Sequence, residues 1–370
     1  MLTIMFFSQP SDIRAVNRLR VLNLIRDNES VSRADISKLL GLNKPSCSEI
    51  VQGLLDEGLL VETEKTPTGN GRRPTPLALN KNGKFVVGVD MGSRACSMVI
   101  SDLKGNLLRY ERFPTPPSPK PEELCYQILK SLLRITKGTT LSGLAVCIDG
   151  EISDDGKTVL SQKEWNWSNV PLALAFEKNL QVKSIIVGSN TAMVTAERWF
   201  QEKVPESFLF LNWDEHISAS VVQGSRISMG SMGHLKVSER GLCRCGKIGC
   251  LETIAAGWAL SEQFGGKNLK QLCQEKPEGF PKALATACAT LAQTLAAMIT
   301  MTGIKHIIAG GSIPANNECF DMLLADFTQI APKDAVLERS GLGDKEHMLA
   351  PVAMALDHFV FQQSFLDAMR

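Results

Sequence analysis

The stretch GSMGHLKVSERGLCRCGKIGCLE, residues 230–252, combines one histidine with three closely spaced cysteines. The four candidate metal ligands are His234, Cys243, Cys245 and Cys250. Glycines punctuate the stretch, as a chain that folds tightly around an ion requires. Three thiolates and one imidazole form a four-ligand set suited to tetrahedral zinc, and they leave no position open for water. The residues therefore predict a structural zinc site. The alternative, a reduced cysteine cluster without metal, is disfavoured because dense exposed thiols oxidise easily.

The composition is that of a globular protein without a dominant charge. The chain has 370 residues, enough for about two or three domains with sizeable cores. Hydrophobic residues make up 44% and the net charge is +1, so no overall field favours nucleic acid or a membrane surface. Ten cysteines without evident pairing indicate a reducing, cytoplasmic environment. The apolar run at the N-terminus is too short to span a bilayer.

The first part of the chain has the pattern of a helix-turn-helix. Apolar spacing predicts three helices, at Ile13–Asp27, at Arg33–Leu40 and at a third segment that ends at Glu57. Ser32 is suited to cap the second helix, Gly41 to end it, and Asn43 to cap the third. Two short helices joined at Gly41-Leu42-Asn43 are typical of a helix-turn-helix.

The residues after the third helix predict a wing. Strands over 59–64 and 77–80 flank the loop TPTGNGRRPTP, residues 66–76, which carries two adjacent arginines. A winged helix would place its third helix in the major groove, and the arginines on phosphates or in a narrow A·T-rich minor groove. The candidate DNA-binding residues are Lys44, Pro45, Ser46, Ser48, Glu49, Arg72 and Arg73. The alternative is a protein-interaction module, because acidic and basic residues nearly balance over 1–80. The paired arginines favour DNA.

The remainder of the chain reads as two α/β lobes. Three consecutive strands followed by alternating helices and strands occur twice, which predicts two lobes with a cleft between them. The strand Ser184–Gly188 precedes a helix predicted to begin at Ala192. The predicted domains are a winged helix over 1–80, a first lobe over 81–200 to which the C-terminal helix returns, and a second lobe over 201–370 that carries the zinc loop.

Six motifs along the body resemble one known family. GVDMG, LAVCIDG, VGSNTAMVTAE, MGHLKV, CRCGKIGCLE and IIAGGS stand in the order found in the ROK proteins (repressors, open reading frames and sugar kinases). The winged helix, with SRADISKLLGLN and GNGRRPT, resembles that of the ROK repressors, which include the xylose and N-acetylglucosamine repressors. The resemblance covers residues 14–360. It implies an actin-like or hexokinase-like ATPase fold of two lobes, a structural zinc on the His and three Cys, a homodimer or tetramer, and A·T-rich inverted repeats in double-stranded DNA as operators.

The sequence departs from the kinase members at the positions where their chemistry resides. ROK kinases carry, at the position of Thr191, an Asp that acts as general base, and a threonine hydroxyl cannot replace it near neutral pH. Ser231 stands where the family's Glu-x-Gly-His motif has a carboxylate that binds sugar hydroxyls. The phosphate-binding Asp-x-Gly-Gly-Thr motif is broken at residues 90–94. We therefore expect no catalytic residue and no sugar kinase activity.

Three residues remain at positions that the family uses for sugar binding. The candidate effector-binding residues are Asn190, His234 and Glu252. Losing two hydroxyl-binding carboxylates costs about 1.5–3 kcal/mol each, so either the effector is not an ordinary hexose or the pocket is vestigial. Asn190 and Glu252 could instead be structural. The sequence predicts a sugar-responsive transcriptional regulator, most simply a repressor of sugar uptake or catabolism genes. Control by a protein partner is the alternative, and a ROK sugar kinase is less favoured.

Overall fold

The computed structural model describes residues 10–28, 30–63, 75–362 and Leu366. The chain folds into two compact units. Unit 1 comprises residues 1–188 and 351–370, and unit 2 comprises residues 189–350.

Unit 1 begins with a three-helix region and a small sheet. Its elements are α1 (Pro10–Asp27), β1 (Val31–Ser32), α2 (Arg33–Leu40), α3 (Lys44–Asp56), β2 (Leu60–Glu62) and β3 (Pro76–Leu79). Strand β3 pairs antiparallel with both β1 and β2, which gives the order β1-β3-β2. The two-residue strand β1 was not predicted, since two residues carry no alternation. Helix α3 ends one residue before the predicted Glu57.

Side-chain caps set the ends of α2 and α3. The Ser32 hydroxyl accepts a bond from the Asp35 N–H, and the Asp35 carboxylate accepts one from the Ser32 N–H at 3.0 Å. Gly41 ends α2 in the left-handed region at φ 66°, where a glycine avoids the steric cost of a Cβ. Asn43 Oδ1 accepts from the Ser46 N–H at 2.8 Å at the start of α3. These caps agree with the predicted helix boundaries.

The rest of unit 1 is built on a mixed five-stranded sheet. Its strands and helices are β4 (Phe85–Met91), β5 (Ala95–Asp102), β6 (Leu107–Pro114), α4 (Pro121–Ile135), β7 (Leu141–Ile148), β8 (Glu151–Ile152), β9 (Val159–Gln162), β10 (Trp167–Val170), α5 (Leu172–Leu180) and β11 (Ser184–Gly188). The sheet order is β11-β7-β4-β5-β6, with β4 parallel to β7 and antiparallel to β5. Strands β8 to β10 form a separate small sheet that was not predicted.

Unit 2 repeats this arrangement of strands. Its elements are α6 (Ser189–Phe200), β12 (Ser207–Trp213), β13 (Ile217–Gln223), β14 (Arg226–Gly230), α7 (Glu252–Ala255), α8 (Gly257–Gln263), α9 (Leu269–Glu275), α10 (Phe280–Thr302), β15 (His306–Gly310), α11 (Asn317–Ile330) and β16 (Val336–Arg339). The order is β14-β13-β12-β15-β16, with β12 parallel to β15 and antiparallel to β13. The sheets of the two units therefore have equivalent strand orders and strand directions, in agreement with the two predicted α/β lobes.

Helix α6 begins three residues before its predicted start at Ala192. It starts at Ser189, directly after β11, so Asn190 and Thr191 lie inside its first turn. The prediction was wrong because serine, asparagine and threonine have weak intrinsic helix propensity, which packing within a fold overrides.

The last described helix begins in unit 2 and ends in unit 1. Helix α12 (Glu346–Leu356) contains Pro351 and continues into a π-helical turn at Asp357–Phe361. The later part of this helix, from Pro351 on, belongs to unit 1, and residues 363–365 and 367–370 lie outside the described part of the chain.

Helix α10 is long and apolar enough to cross a membrane by length and composition. Leu284, Leu291 and Leu295, among others on this helix, are buried in the core of unit 2. We therefore interpret α10 as a core helix, because the same hydropathy is expected of a helix that is surrounded by protein.

Candidate functional site

The four predicted metal ligands of the zinc loop come together in unit 2. The ligand atoms of His234, Cys243, Cys245 and Cys250 all lie within 4.8 Å of one another. Cys243 Sγ is 3.7 Å from His234 Nδ1, and Cys245 Sγ is 3.7 Å from Cys250 Sγ. Tetrahedral zinc with Zn–S bonds of about 2.3 Å requires two thiolates about 3.8 Å apart. The cluster therefore fits zinc in both its donor atoms and their spacing.

Backbone bonds and glycines give the zinc loop its shape. The Cys243 N–H donates to Lys247 O at 2.8 Å, and the backbones of Lys236 and Cys250 pair in an isolated antiparallel β-bridge. Gly249 has φ 80°, and a Cβ there would lie 1.7 Å from Ser238 O. A side chain at Gly249 would thus push apart the two segments that bring the cysteines together.

His234 presents one ring nitrogen to the cysteines. It ends a short 3-10 turn, Met232–His234, and its Nδ1 faces Cys243 Sγ while the residue remains exposed. If Nδ1 binds a metal ion, Nε2 lies on the opposite edge of the ring and can bond a ligand or a further acceptor.

Glu252 has both carboxylate oxygens engaged within unit 2. It is 3% exposed. Oε1 accepts from the Ile217 N–H at 3.1 Å, and Oε2 accepts from Trp258 Nε1 at 3.1 Å. Burial raises the pKa of Glu252, but its bonds with His216, Ile217 and Trp258 outweigh that effect and hold the pKa below its usual range. These contacts favour the structural alternative for Glu252.

Asn190 and Thr191 have different neighbours. The Asn190 side chain lies against the Ser218 hydroxyl, with Nδ2 2.6 Å from Oγ. Asn212 Nδ2 is 3.4 Å from Asn190 Oδ1. Thr191 Oγ1 lies 3.4 Å from the thioether sulfur of Met229. A thioether is a weak acceptor that takes up no proton near neutral pH, so this contact supplies no general base.

One strand joins the candidate effector residues. Glu252 bonds Ile217, and Asn190 bonds the next residue, Ser218, at the start of β13. Glu252 Oε2 is also 3.9 Å from the sulfur of the zinc-loop residue Cys243. The structure thus brings the Asn190, Glu252 and zinc-cluster positions into one connected region. Sequence reasoning missed Ser218, His216 and Trp258, because only the strand register and the loop fold place them there.

The candidate DNA-binding residues of α3 lie opposite its buried face. Lys44, Pro45, Ser48 and Glu49 are exposed and Ser46 is half-buried. The buried face consists of Cys47, Ile50, Val51 and Leu54. Glu49 pairs with Arg14 of α1 at 2.8 Å on the surface. Arg72 and Arg73 lie outside the described residues.

The chain belongs to the ROK family. Its sequence matches the ROK family over residues 86–357 and the MarR family over residues 14–73. A xylose repressor of Caldicellulosiruptor bescii is 29% identical over 265 residues, which are 67% of this chain and 65% of the relative. The xylose repressor of Bacillus subtilis is 26% identical over 278 residues, 71% of each chain. The DNA-binding transcriptional dual regulator NagC of Escherichia coli is 24% identical over 264 residues, 68% of this chain and 65% of the relative. The match covers 65% of the length of the C. bescii repressor and of NagC, which is less than two thirds, and 71% of the B. subtilis repressor.

Solved structures confirm the predicted fold class. A ROK family transcriptional regulator, described as a homolog of the E. coli MLC protein, has a TM-score of 0.78 at 19% identity and covers 95% of this chain and 98% of that chain. A ROK hexokinase from Thermus thermophilus has a TM-score of 0.59 at 21% identity and covers 73% of this chain and 97% of that chain. A helix-turn-helix region followed by an α/β ROK body, as the sequence predicts, is therefore the architecture of this protein.

Proposed function

We propose that this protein is a DNA-binding transcriptional repressor whose ROK body senses a sugar-like effector. The observation that carries the proposal is a helix-turn-helix region joined to a ROK body with a threonine at position 191. Curated relatives named as xylose repressors and as the regulator NagC support the same function. The proposal includes domain boundaries at residues 80 and 200 and a cytoplasmic location. It also includes a homodimer or tetramer that binds an inverted repeat.

DNA recognition is assigned to α3 and to Arg72 and Arg73, which follow β2 in the sequence. The exposed face of α3 offers Lys44, Ser46 and Ser48 to base edges and phosphates, while Cys47 and Ile50 anchor the helix in the core. A pair of such regions on a two-fold axis would read two half-sites about one helical turn apart.

Binding to DNA fragments at several salt concentrations tests this assignment. The double variant Arg72→Ala with Arg73→Ala should bind all DNA sequences more weakly. Its affinity should also depend less steeply on salt concentration, because fewer phosphate contacts release fewer counterions on binding. The matched control is Lys130→Ala with Lys137→Ala, which removes two exposed charges from α4 and the turn after it. An unchanged affinity and salt slope in the arginine variant would refute the role of Arg72 and Arg73.

Zinc is the proposed cofactor of the His234 and three-cysteine cluster. Burial raises the pKa of the Cys243 thiol to about 12, so this ligand requires a nearby cation to be held as thiolate near neutral pH. Bound zinc would supply that charge and cross-link the loop, and the complete ligand set would keep water from the metal.

The effector is assigned to the region around Asn190, His234 and Glu252. Asn190 and the outer edge of the His234 ring can bond hydroxyl groups, while Glu252 fixes β13 behind them. A thermal-shift screen against mono- and disaccharides, their phosphates, amino sugars and inositols tests this assignment. Stabilisation that Asn190→Ala abolishes would support a metabolite sensor. Absence of any shift in folded, zinc-loaded protein would favour the second candidate, a regulator controlled by a protein partner. ATP turnover with any hexose would contradict both.

A further inference from the structure

Helix α3 carries more acid than base, which is unusual for a helix assigned to DNA. It holds one lysine, Lys44, and two carboxylates, Glu49 and Asp56. Sequence-independent affinity for DNA comes from lysine and arginine contacts with phosphates, and carboxylates oppose it. The contribution of α3 to DNA binding is therefore expected in the reading of base edges, where a carboxylate has a use as a hydrogen-bond acceptor.

Glu49 lies in the N-terminal half of α3, on the side opposite the buried residues. Given the α-helical repeat, it stands about 150° around the helix axis from the middle of the buried face. Its side chain is 64% exposed. The N-terminal residues of the second helix in a helix-turn-helix are those that contact base edges in the major groove. Glu49 thus occupies a position from which a side chain reaches the bases.

Arg14 of α1 pairs with the Glu49 carboxylate at this position. Its Nη2 lies 2.8 Å from Glu49 Oε1, and the Arg14 side chain is 61% exposed. An ion pair this open to solvent adds little to stability. It does offset the negative charge that phosphates would repel, and it limits where the carboxylate can point. A carboxylate accepts about four hydrogen bonds, so the pair leaves acceptor capacity for a base.

A carboxylate, which accepts hydrogen bonds and donates none, discriminates among the four bases. In the major groove, guanine and thymine present acceptors, which repel a carboxylate. Adenine presents its N6 amino group beside the acceptor N7, so one carboxylate oxygen would bond while the other met a lone pair. Cytosine presents its N4 amino group as a donor without that neighbouring acceptor. Glu49 therefore favours cytosine over the other three bases.

We propose that Glu49 determines sequence specificity by accepting a hydrogen bond from N4 of one cytosine in each DNA half-site, with Arg14 as a positioning residue. This inference rests on the proposed function and deepens it, because it assigns one base to one side chain of α3.

A second ion pair between the same two helices provides the matched control. Arg18 of α1 pairs with Glu57, the C-cap residue of α3. Glu57 lies about 12 Å farther along the helix axis than Glu49, away from the end that contacts bases. Replacing Glu57 removes the same charge and the same kind of ion pair without removing a base contact.

Selection of bound sequences from randomised DNA fragments, with the full-length protein, tests the proposal. Wild type should prefer cytosine about tenfold at one position of each half-site. Glu49→Ala should lose that preference and keep the preferences at all other positions. Glu49→Gln should change the preferred base to adenine, because an amide accepts from N6 and donates to N7. Arg14→Ala should weaken the cytosine preference at the same position, since the carboxylate is no longer held.

Glu57→Ala should select the same sequence as wild type. If Glu49→Ala selects the wild-type sequence and merely binds all fragments more tightly, Glu49 acts only through its charge and the proposal is wrong. It is also wrong if Glu49→Ala and Glu57→Ala lose the same preferences, since both pairs would then act by placing α3. A wild-type protein that selects no sequence would contradict the proposed function as well, whereas the other two results leave that function intact.

Discussion

Cys250 contributes one of three sulfurs to the zinc loop and is almost fully buried. Replacing it with serine removes a soft, charged ligand and leaves a hydroxyl that binds zinc poorly. We expect wild-type protein to carry zinc, measured as metal per chain, and Cys250→Ser to lose it and to unfold at a lower temperature. Cys125→Ser is the control, since Cys125 lies in α4 of unit 1, outside the cluster. Equal metal content in Cys250→Ser and wild type would mean that the cluster does not hold zinc.

Glu197 of α6 couples the stability of unit 2 to pH. It is 1% exposed, and burial raises its pKa to about 7. Between the unfolded pKa near 4.5 and about pH 7 the folded state therefore holds more protons than the unfolded state, and the free energy of unfolding falls as pH rises. Glu346, with a pKa of about 8, acts in the same direction up to a higher pH.

Glu197→Gln should flatten this dependence. We expect wild type to lose about 2 kcal/mol more than the variant between pH 5.5 and pH 8, measured by urea unfolding. Glu202→Gln, an exposed change on the chain just after α6, should behave as wild type. A variant whose stability falls as steeply as that of wild type would show that Glu197 is ionised in the folded protein throughout this range.

At the scale of elements, the sequence predicted best where local chemistry decides the outcome. The sequence predicted the N-caps Ser32 and Asn43 because the free N–H groups at the start of a helix need a side-chain acceptor. It predicted Gly41 at the end of α2 because a helix often ends in a residue with positive φ. The sequence also predicted that His234 and the three cysteines belong together, and the structure brings their ligand atoms within 4.8 Å of one another. The start of α6 and the strands β8 to β10 were not, because their conformations depend on packing against strands distant in sequence.

The cap of α3 can be tested directly. Asn43→Ala removes the bond to the Ser46 N–H at the end of the helix that we assign to the major groove, and should cost about 1 kcal/mol of unfolding free energy. DNA affinity should fall as well, because the first turn of α3 carries Lys44 and Ser46. Asn43→Asp keeps an acceptor at the same position and should retain stability. Equal stability of the alanine and aspartate variants would exclude the cap as the feature that starts α3.

At the scale of the whole molecule, the helix-turn-helix region is joined to the C-terminal end of the chain within unit 1. Asn23 of α1, 5% exposed, donates from Nδ2 to Phe361 O at 2.8 Å, and the Arg26 guanidinium lies 5.2 Å from the centroid of the fully buried Phe361 ring. The partners are 338 residues apart in sequence. No spacing or propensity could have predicted this contact, because the carbonyl is exposed to Asn23 only where the helix ends in a π-helical turn.

This contact should hold α1 to the ROK body. Asn23→Ala leaves the Phe361 carbonyl without that donor, so it should lower the unfolding free energy of unit 1 by about 1–3 kcal/mol and speed hydrogen exchange along α1. Exchange along α10, in the core of unit 2, should not change. Arg20→Ala, on the exposed side of α1, is the control. If α1 exchanges at the wild-type rate in Asn23→Ala, contacts other than the bond to the Phe361 carbonyl hold α1 in place.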